Sequence, residues 1–129
     1  ELISSDRLPL RNKPITVTYH DPCDLGRGSQ EYDAPREVIR AIPGVKLVEL
    51  KHNREDCLCC GGGGNLEMID ADLTAAIAGE KIDEVMATGA DALITACQQC
   101  VRTMNTYVRR NKISLDVMDI VQLIQKVML

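Results

Sequence analysis

Phenylalanine and tryptophan are absent from the chain, and only three tyrosines occur among its 129 residues. A core built on aromatic stacking is therefore excluded, and aliphatic side chains must fill the interior. No apolar run approaches the roughly 20 residues that a membrane-spanning helix requires, and the opening stretch lacks the basic start and apolar segment of a signal peptide. The expectation is a cytoplasmic domain that inserts into no membrane and reaches a membrane face only through partners. Positive charge is scarce too. Fifteen Lys and Arg stand against 19 Asp and Glu, a net charge of -4, which leaves no general attraction for nucleic acid.

What the sequence has in excess is sulfur. Its length, with 45% hydrophobic and 26% charged residues, fits one globular domain with an ordinary core. Six cysteines stand at Cys23, Cys57, Cys59, Cys60, Cys97 and Cys100. Secreted disulfide scaffolds are usually shorter and loop-rich. The compact C-x2-C-x2-C-x3-C-P run of a bacterial ferredoxin is absent, and a thioredoxin-like site would use a single C-x2-C.

Residues 1–13 are mixed, polar and without a clear period, and read as a linker from a preceding part of a larger protein; residues 14–129 read as one domain. ITVTYH, from Ile15 to His20, is β-branched and ends at Asp21-Pro22, which predicts a strand feeding a loop. Asp33 is the expected N-cap of a helix through Ile42, with Val38, Ile39 and Ile42 on one face. VKLVEL, from Val45 to Leu50, predicts a second strand. A helical pattern from about Asp70 to Thr88, stopped by Gly89, carries two apolar sets. One is Ile69, Leu73 and Ile77, the other Ala78, Ile82, Val85 and Met86. This implies either a bend near Gly79 or a second face covered by a partner. ADALITA predicts the third strand, and Val101, Met104 and Val108 line the helix after it. A short SLDV strand and a final helix, capped by Asp119 and lined by Ile120, Val121, Ile124 and Val127, complete the reading βαβαβαβα.

Such alternation predicts an α/β fold with a small parallel sheet and crossover helices. Segments that follow the strands of such a sheet emerge on one edge. All three cysteine clusters follow strands, so they are expected to meet at the carboxyl ends of the sheet. Five or six thiolates in one pocket repel one another unless they are protonated, paired or neutralised by cations. A polynuclear metal centre answers this best, because zinc prefers four ligands and more are present. Residues 61–64, four glycines, permit close backbone approach and could donate N–H groups to sulfides. A phosphate-binding loop would need Lys and Ser or Thr after the glycines, and neither is there.

Cys23, 35 residues, Cys59-Cys60-Gly61, and Cys97-x2-Cys100 after 36 residues from Cys60, together with HDPCDLGRG and TGADALITACQQC, resemble the cysteine-rich CCG domain. That domain belongs to heterodisulfide reductase subunits and to the iron-sulfur subunits of glycolate, lactate and glycerol-3-phosphate dehydrogenases. The resemblance covers residues 15–129 and is greatest to the second, C-terminal domain of such proteins. An amino-terminal part would then hold cubane clusters and a first CCG domain. The resemblance implies a noncubane [4Fe-4S] cluster held by Cys23, Cys59, Cys60, Cys97 and Cys100. It also implies heterodisulfide-type reduction, or electron transfer among ferredoxin-like, flavoprotein or membrane-cytochrome partners. Asp24 stands where the family often has His, which weakens an acid-base role there.

The remaining residues read more plainly. Cys57 lies outside the pattern and reads as an incidental loop residue, with an extra metal ligand or a redox-active thiol as its alternatives. His20 could give a proton to a leaving thiolate, although a hydrogen-bonded structural histidine is the commoner case. His52 is expected to be solvated. Arg27 would offset cluster charge, hold its loop by hydrogen bonds or form a surface ion pair, and Arg109-Arg110 suits a helix C-terminus. Two rival functions remain: a zinc-organised docking domain without redox activity, and a metal-free dithiol switch of Cys97 and Cys100.

Overall fold

The computed structural model describes residues 2, 5, 7–63 and 66–128. Strands β1 (Ile15–His20), β2 (Val45–Val48), β3 (Ala92–Thr95) and β4 (Asp116–Asp119) form one sheet. Their order is β2-β1-β3-β4 and every pairing is parallel. Between and after them run α1 (Asp33–Arg40), the short α2 (Leu66–Ile69), α3 (Ala71–Ala87), α4 (Gln98–Arg110) and α5 (Ile120–Val127). The α/β reading with crossover helices is what the chain adopts. β1 keeps the bounds its β-branched run predicts, whereas the last strand is DVMD rather than SLDV.

The two faces of the sheet carry separate cores. Val17, Tyr19, Ile94 and Met118 pack with Ile39 and Ile42 after β1, and with Leu123 and Val127 of α5. Leu93 and Val117 pack on the other side with Ile82 and Val85 of α3 and Met104 and Val108 of α4. Both faces of β3 are thus covered, and all four of its residues, ALIT, are buried. That is why this strand reads as a continuous apolar run rather than an alternating one.

Several local expectations shift. α1 takes Tyr32 as its N-cap and ends at Arg40; the Asp33 carboxylate lies inside the first turn and pairs with Arg54 Nη2 at 2.8 Å rather than capping. Asp70 caps α3 by accepting from Leu73 N–H at 3.0 Å, and Gly89 ends the turn region with φ +72. α3 packs through one stripe, Thr74, Ala78, Lys81, Ile82 and Val85. Most of the first apolar set stays outside: Ile69, in α2, and Leu73 are exposed while Ile77 is half-buried, and Met86 of the second set is exposed too. Gly79 serves close packing, since a Cβ there would lie 2.8 Å from Tyr107 Oη on α4. In α5 the Asp119–Gln122 capping box forms as the cap predicts, but Leu123 turns inward and Val121 outward. Within the stretch read as a linker, Leu10 bridges Met128, Arg11 N–H donates to Val127 O, and Lys13 N–H donates to Pro43 O. Residues 10–13 therefore lie against the domain; Glu1, Ile3, Ser4 and Asp6 lie outside the described residues.

The strand order has one consequence for function. β2 and β3 flank β1 on opposite sides, so the connections leaving β1 and β3 diverge and open a crevice at their carboxyl ends. Among the described residues no helix is long and apolar enough to cross a membrane.

Candidate metal-sulfur site

Three loops close that crevice. After β1, Asp21-Pro22 leads into a single wide turn, Asp24–Gly28, with Cys23 at its start. After β2, a short 3-10 turn, Arg54–Asp56, delivers Cys57, Cys59 and Cys60. After β3, Cys97 is the N-cap of α4 and Cys100 lies in its first turn. All six cysteines line one cavity of about 280 Å³, together with His20, Arg27 and Arg54. The predicted convergence of clusters distant in sequence is thus what the loops do. Cys23 and Cys59 stand exposed at the rim, whereas Cys57, Cys60 and Cys100 are buried.

The sulfurs are arranged as acceptors around the floor. Cys60 Sγ and Cys100 Sγ are 3.2 Å apart. Gly61 N–H donates to Cys59 Sγ at 3.2 Å, and Gly62 N–H donates to Cys60 Sγ at 3.4 Å. The glycine run serves by space as well as by donors. Gly61 has φ +89, and a Cβ there would meet Thr74 O at 2.8 Å; at Gly62 it would meet Thr103 Oγ1 at 2.1 Å. Gly64 lies outside the described residues. One nitrogen joins the set, for the ligand atoms of His20, Cys60 and Cys100 all lie within 4.8 Å of one another.

Charge is distributed unevenly among these groups. The hydrogen bond shared with Cys100, with help from His20 and Gly62 N–H, holds Cys60 well below the ordinary thiol range against the effect of burial. Cys100 moves up, through the same bond to Cys60 and through its own burial. The two sulfurs therefore titrate as one coupled pair. Burial and the neighbouring Asp24 carboxylate push Cys23 up. Burial would also raise Cys57, but the His20 hydrogen bond, the His20 charge and the Lys81 ammonium outweigh it and bring Cys57 down. Burial would lower His20, yet its bonds to Cys57 and Cys60 prevail and raise it.

Cys57, incidental by spacing alone, is a centre of this network. It is 4% exposed; His20 Nδ1 lies 3.4 Å from its Sγ, and the fully buried Lys81 donates its Nζ to it at 3.2 Å. Lys81 is the residue that sequence reasoning passed over. Its signal was positional, since Ala78, Lys81, Ile82 and Val85 follow the i, i+3, i+4, i+7 spacing of a buried stripe.

A rigid frame holds the loops. Arg36, buried in α1, donates Nη1 and Nη2 to the two carboxylate oxygens of Asp21 and its Nε to Glu49. Burial opposes ionisation of Asp21, but the Arg36 bonds and Arg54 N–H hold its carboxyl below the usual range. Arg27 donates to Glu55 O at 3.0 Å and to Cys57 O, so of its expected roles it performs loop-holding. The His52 backbone N–H donates to Glu84 Oε1 at 2.7 Å and its ring lies 3.5 Å from Oε2, yet the side chain stays 43% exposed, as the solvated reading expects. Asp24 lines the cavity rim, and Arg109 and Arg110 are exposed in the last turn of α4.

The donor set suits a metal-sulfur group. Three loops supply six sulfurs, more than one tetrahedral ion can use, and backbone N–H groups and cations stand ready to offset anionic charge.

The profile of the cysteine-rich domain family, CCG, matches residues 17–105, and the chain belongs to this family. It is 39% identical over 126 residues to a subunit of the dihydromethanophenazine:CoB--CoM heterodisulfide reductase of Methanosarcina barkeri, a match covering 96% of this chain and 31% of the relative. It is 36% identical over 102 residues to the probable iron-sulfur-binding oxidoreductase FadF of Bacillus subtilis, covering 78% of this chain and 14% of that protein. It is 33% identical over 99 residues to a subunit of the fumarate reductase (CoM/CoB) of Methanothermobacter marburgensis, covering 74% of this chain and 20% of that protein. The chain thus spans a third or less of these relatives.

Proposed function

We propose that this chain is an iron-sulfur electron-transfer domain of a larger oxidoreductase, working with flavoprotein, ferredoxin-like or membrane-cytochrome partners in heterodisulfide-type reduction or electron relay. The observation that carries this reading is the meeting of all six cysteines, from three separate loops, on one cavity at the switch point between β1 and β3. The heterodisulfide reductase and iron-sulfur oxidoreductase relatives support it. A relative described as a probable membrane-anchored ferredoxin, 43% identical over 101 residues, supports a place beside a membrane reached through partners.

Cys23, Cys59, Cys60, Cys97 and Cys100 would hold a [4Fe-4S] cluster of the noncubane kind. When bound, such a group supplies one-electron steps. The chain's residues do the rest. Gly61 and Gly62 direct N–H groups at Cys59 and Cys60, and Arg27 fixes the Cys57 loop to the turn after β1. His20, buried against Cys57, is placed to hold a proton at the cavity floor. The exposed Cys23 and Cys59 leave the rim open to a substrate or partner.

The test is anaerobic preparation followed by assay of iron, acid-labile sulfide and zinc per chain, with visible spectra before and after dithionite. Near-stoichiometric iron and sulfide with a band that bleaches on reduction supports the reading. A second reading, zinc organising a docking domain, draws on the clustering of His20, Cys60 and Cys100. Stoichiometric zinc, with no iron taken up on anaerobic reconstitution, favours that reading and defeats the first.

A further inference from the structure

Lys81 is fully buried in the middle of α3, on the stripe that packs against the sheet. Placing an ammonium there costs several kcal/mol unless an anion compensates it. Among the described residues no carboxylate forms an ion pair with Lys81. Its side-chain hydrogen bond runs instead to Cys57 Sγ at 3.2 Å. A neutral thiol is a weak acceptor, and an apolar side chain of similar length would fill the same space at no electrostatic cost. The ammonium therefore has a physical reason only if the site it reaches through Cys57 carries negative charge. Cys57 is also wedged between Lys81 and His20 while its carbonyl is held by Arg27. Its sulfur therefore connects the lysine to the cavity that all six cysteines line.

We propose that Lys81, acting through Cys57, is the counter-cation of the centre bound at this site and raises its reduction potential. This rests on the iron-sulfur reading above. Lys81 is a positioning residue that touches no reacting atom. Its charge offsets the negative charge already on a thiolate-ligated centre and the further unit added on reduction. Cys57 then acts as the outer-shell link to that cation, and the five motif cysteines remain the ligands.

The experiment is a spectroelectrochemical midpoint titration of anaerobically reconstituted protein, wild type beside Lys81→Met, Lys81→Gln, Lys81→Arg and Cys57→Ser, with iron and sulfide assayed on each. If wild type takes up no iron, the iron-sulfur reading fails, and this proposal with it. If wild type loads, Lys81→Met and Lys81→Gln are expected to load too. Their reduction should be at least tenfold less favourable, a negative shift of about 59 mV for a one-electron couple. Lys81→Arg should restore most of the potential, and Cys57→Ser should keep its iron. Unchanged potentials in the loaded Met and Gln variants overturn the proposal while leaving the iron-sulfur reading intact, as does loss of iron in Cys57→Ser, which would make Cys57 a ligand. Should both uncharged variants fail to load while Lys81→Arg loads, the Lys81→Arg potential decides: one close to wild type supports the counter-cation, and one shifted by tenfold or more overturns it. Failure of Lys81→Arg as well would mean that Lys81 acts by packing, and the proposal falls.

Discussion

Arg36 grips Asp21 with two parallel hydrogen bonds, each 2.7 Å, and both side chains are sealed from water. The second Asp21 oxygen also accepts Arg54 N–H at 2.7 Å. One carboxylate thus joins helix α1, the loop that presents Cys23 and the turn that presents Cys57. Arg36→Met strips the buried guanidinium from that carboxylate while keeping side-chain bulk. Removing one partner of such a pair costs about 3–5 kcal/mol. Urea unfolding of the variant should show a loss in that range. A loss below about 1 kcal/mol, the scale of an exposed pair, would contradict the role assigned to this fork.

Tyr19 offers a prediction of opposite sign. Its ring packs in the core beneath α1 and α5, with the Arg36 guanidinium 5.2 Å from its centroid, yet among the described residues its hydroxyl has no hydrogen-bond partner. Burial, aided by the Asp21 charge, raises the phenol far above its ordinary value. The folded state therefore favours the neutral form. The stability tied to it is complete below the unfolded value, near pH 10, and fades as pH rises above that. Tyr19→Phe should be neutral or stabilising by about 1 kcal/mol at pH 7, because an unsatisfied hydroxyl leaves the core. Above pH 10 its advantage over wild type should widen. Thermal melts at both pH values check this, and a destabilised variant at neutral pH would contradict it.

Gly62 tests the fit of the glycine loop. An added Cβ would meet Thr103 Oγ1 at 2.1 Å and Thr103 Cβ at 3.1 Å, so Gly62→Ala must push the Cys60 loop away from α4. The expected result is a folded protein that retains well under half of the wild-type iron. Thr103→Ala, which removes the nearer atom, should restore part of it in the double variant. Full iron in the single variant would show that this approach is not required.

The sequence was most informative where one physical signal dominated. ITVTYH became β1 with the bounds its β-branching implies, because a central parallel strand rewards those side chains on both faces. The meeting of the three cysteine clusters followed from the strand-helix alternation, since segments leaving the strands of a parallel sheet emerge on one edge. What escaped were effects that exist only after packing. Asp33 has the chemistry of a cap but lies inside the first turn and pairs with Arg54. Ile69 and Leu73 have core-type side chains but fall beyond the α3 stripe. Lys81 carries no motif, and only its place on the α3 stripe marks it. Cys57 has no motif, so its partners, one 37 and one 24 residues away, become visible only in three dimensions.

The central claim is that three loops jointly hold one polynuclear centre. Its most direct test is iron and sulfide per chain after anaerobic reconstitution of Cys23→Ser, Cys59→Ser and Cys97→Ser, one ligand from each loop, with Cys57→Ser alongside. The account predicts that each of the first three loses most of its iron and its visible band, and that Cys57→Ser keeps both. Wild-type iron in any one of those three would contradict it, because that cysteine would then not be a ligand of the centre.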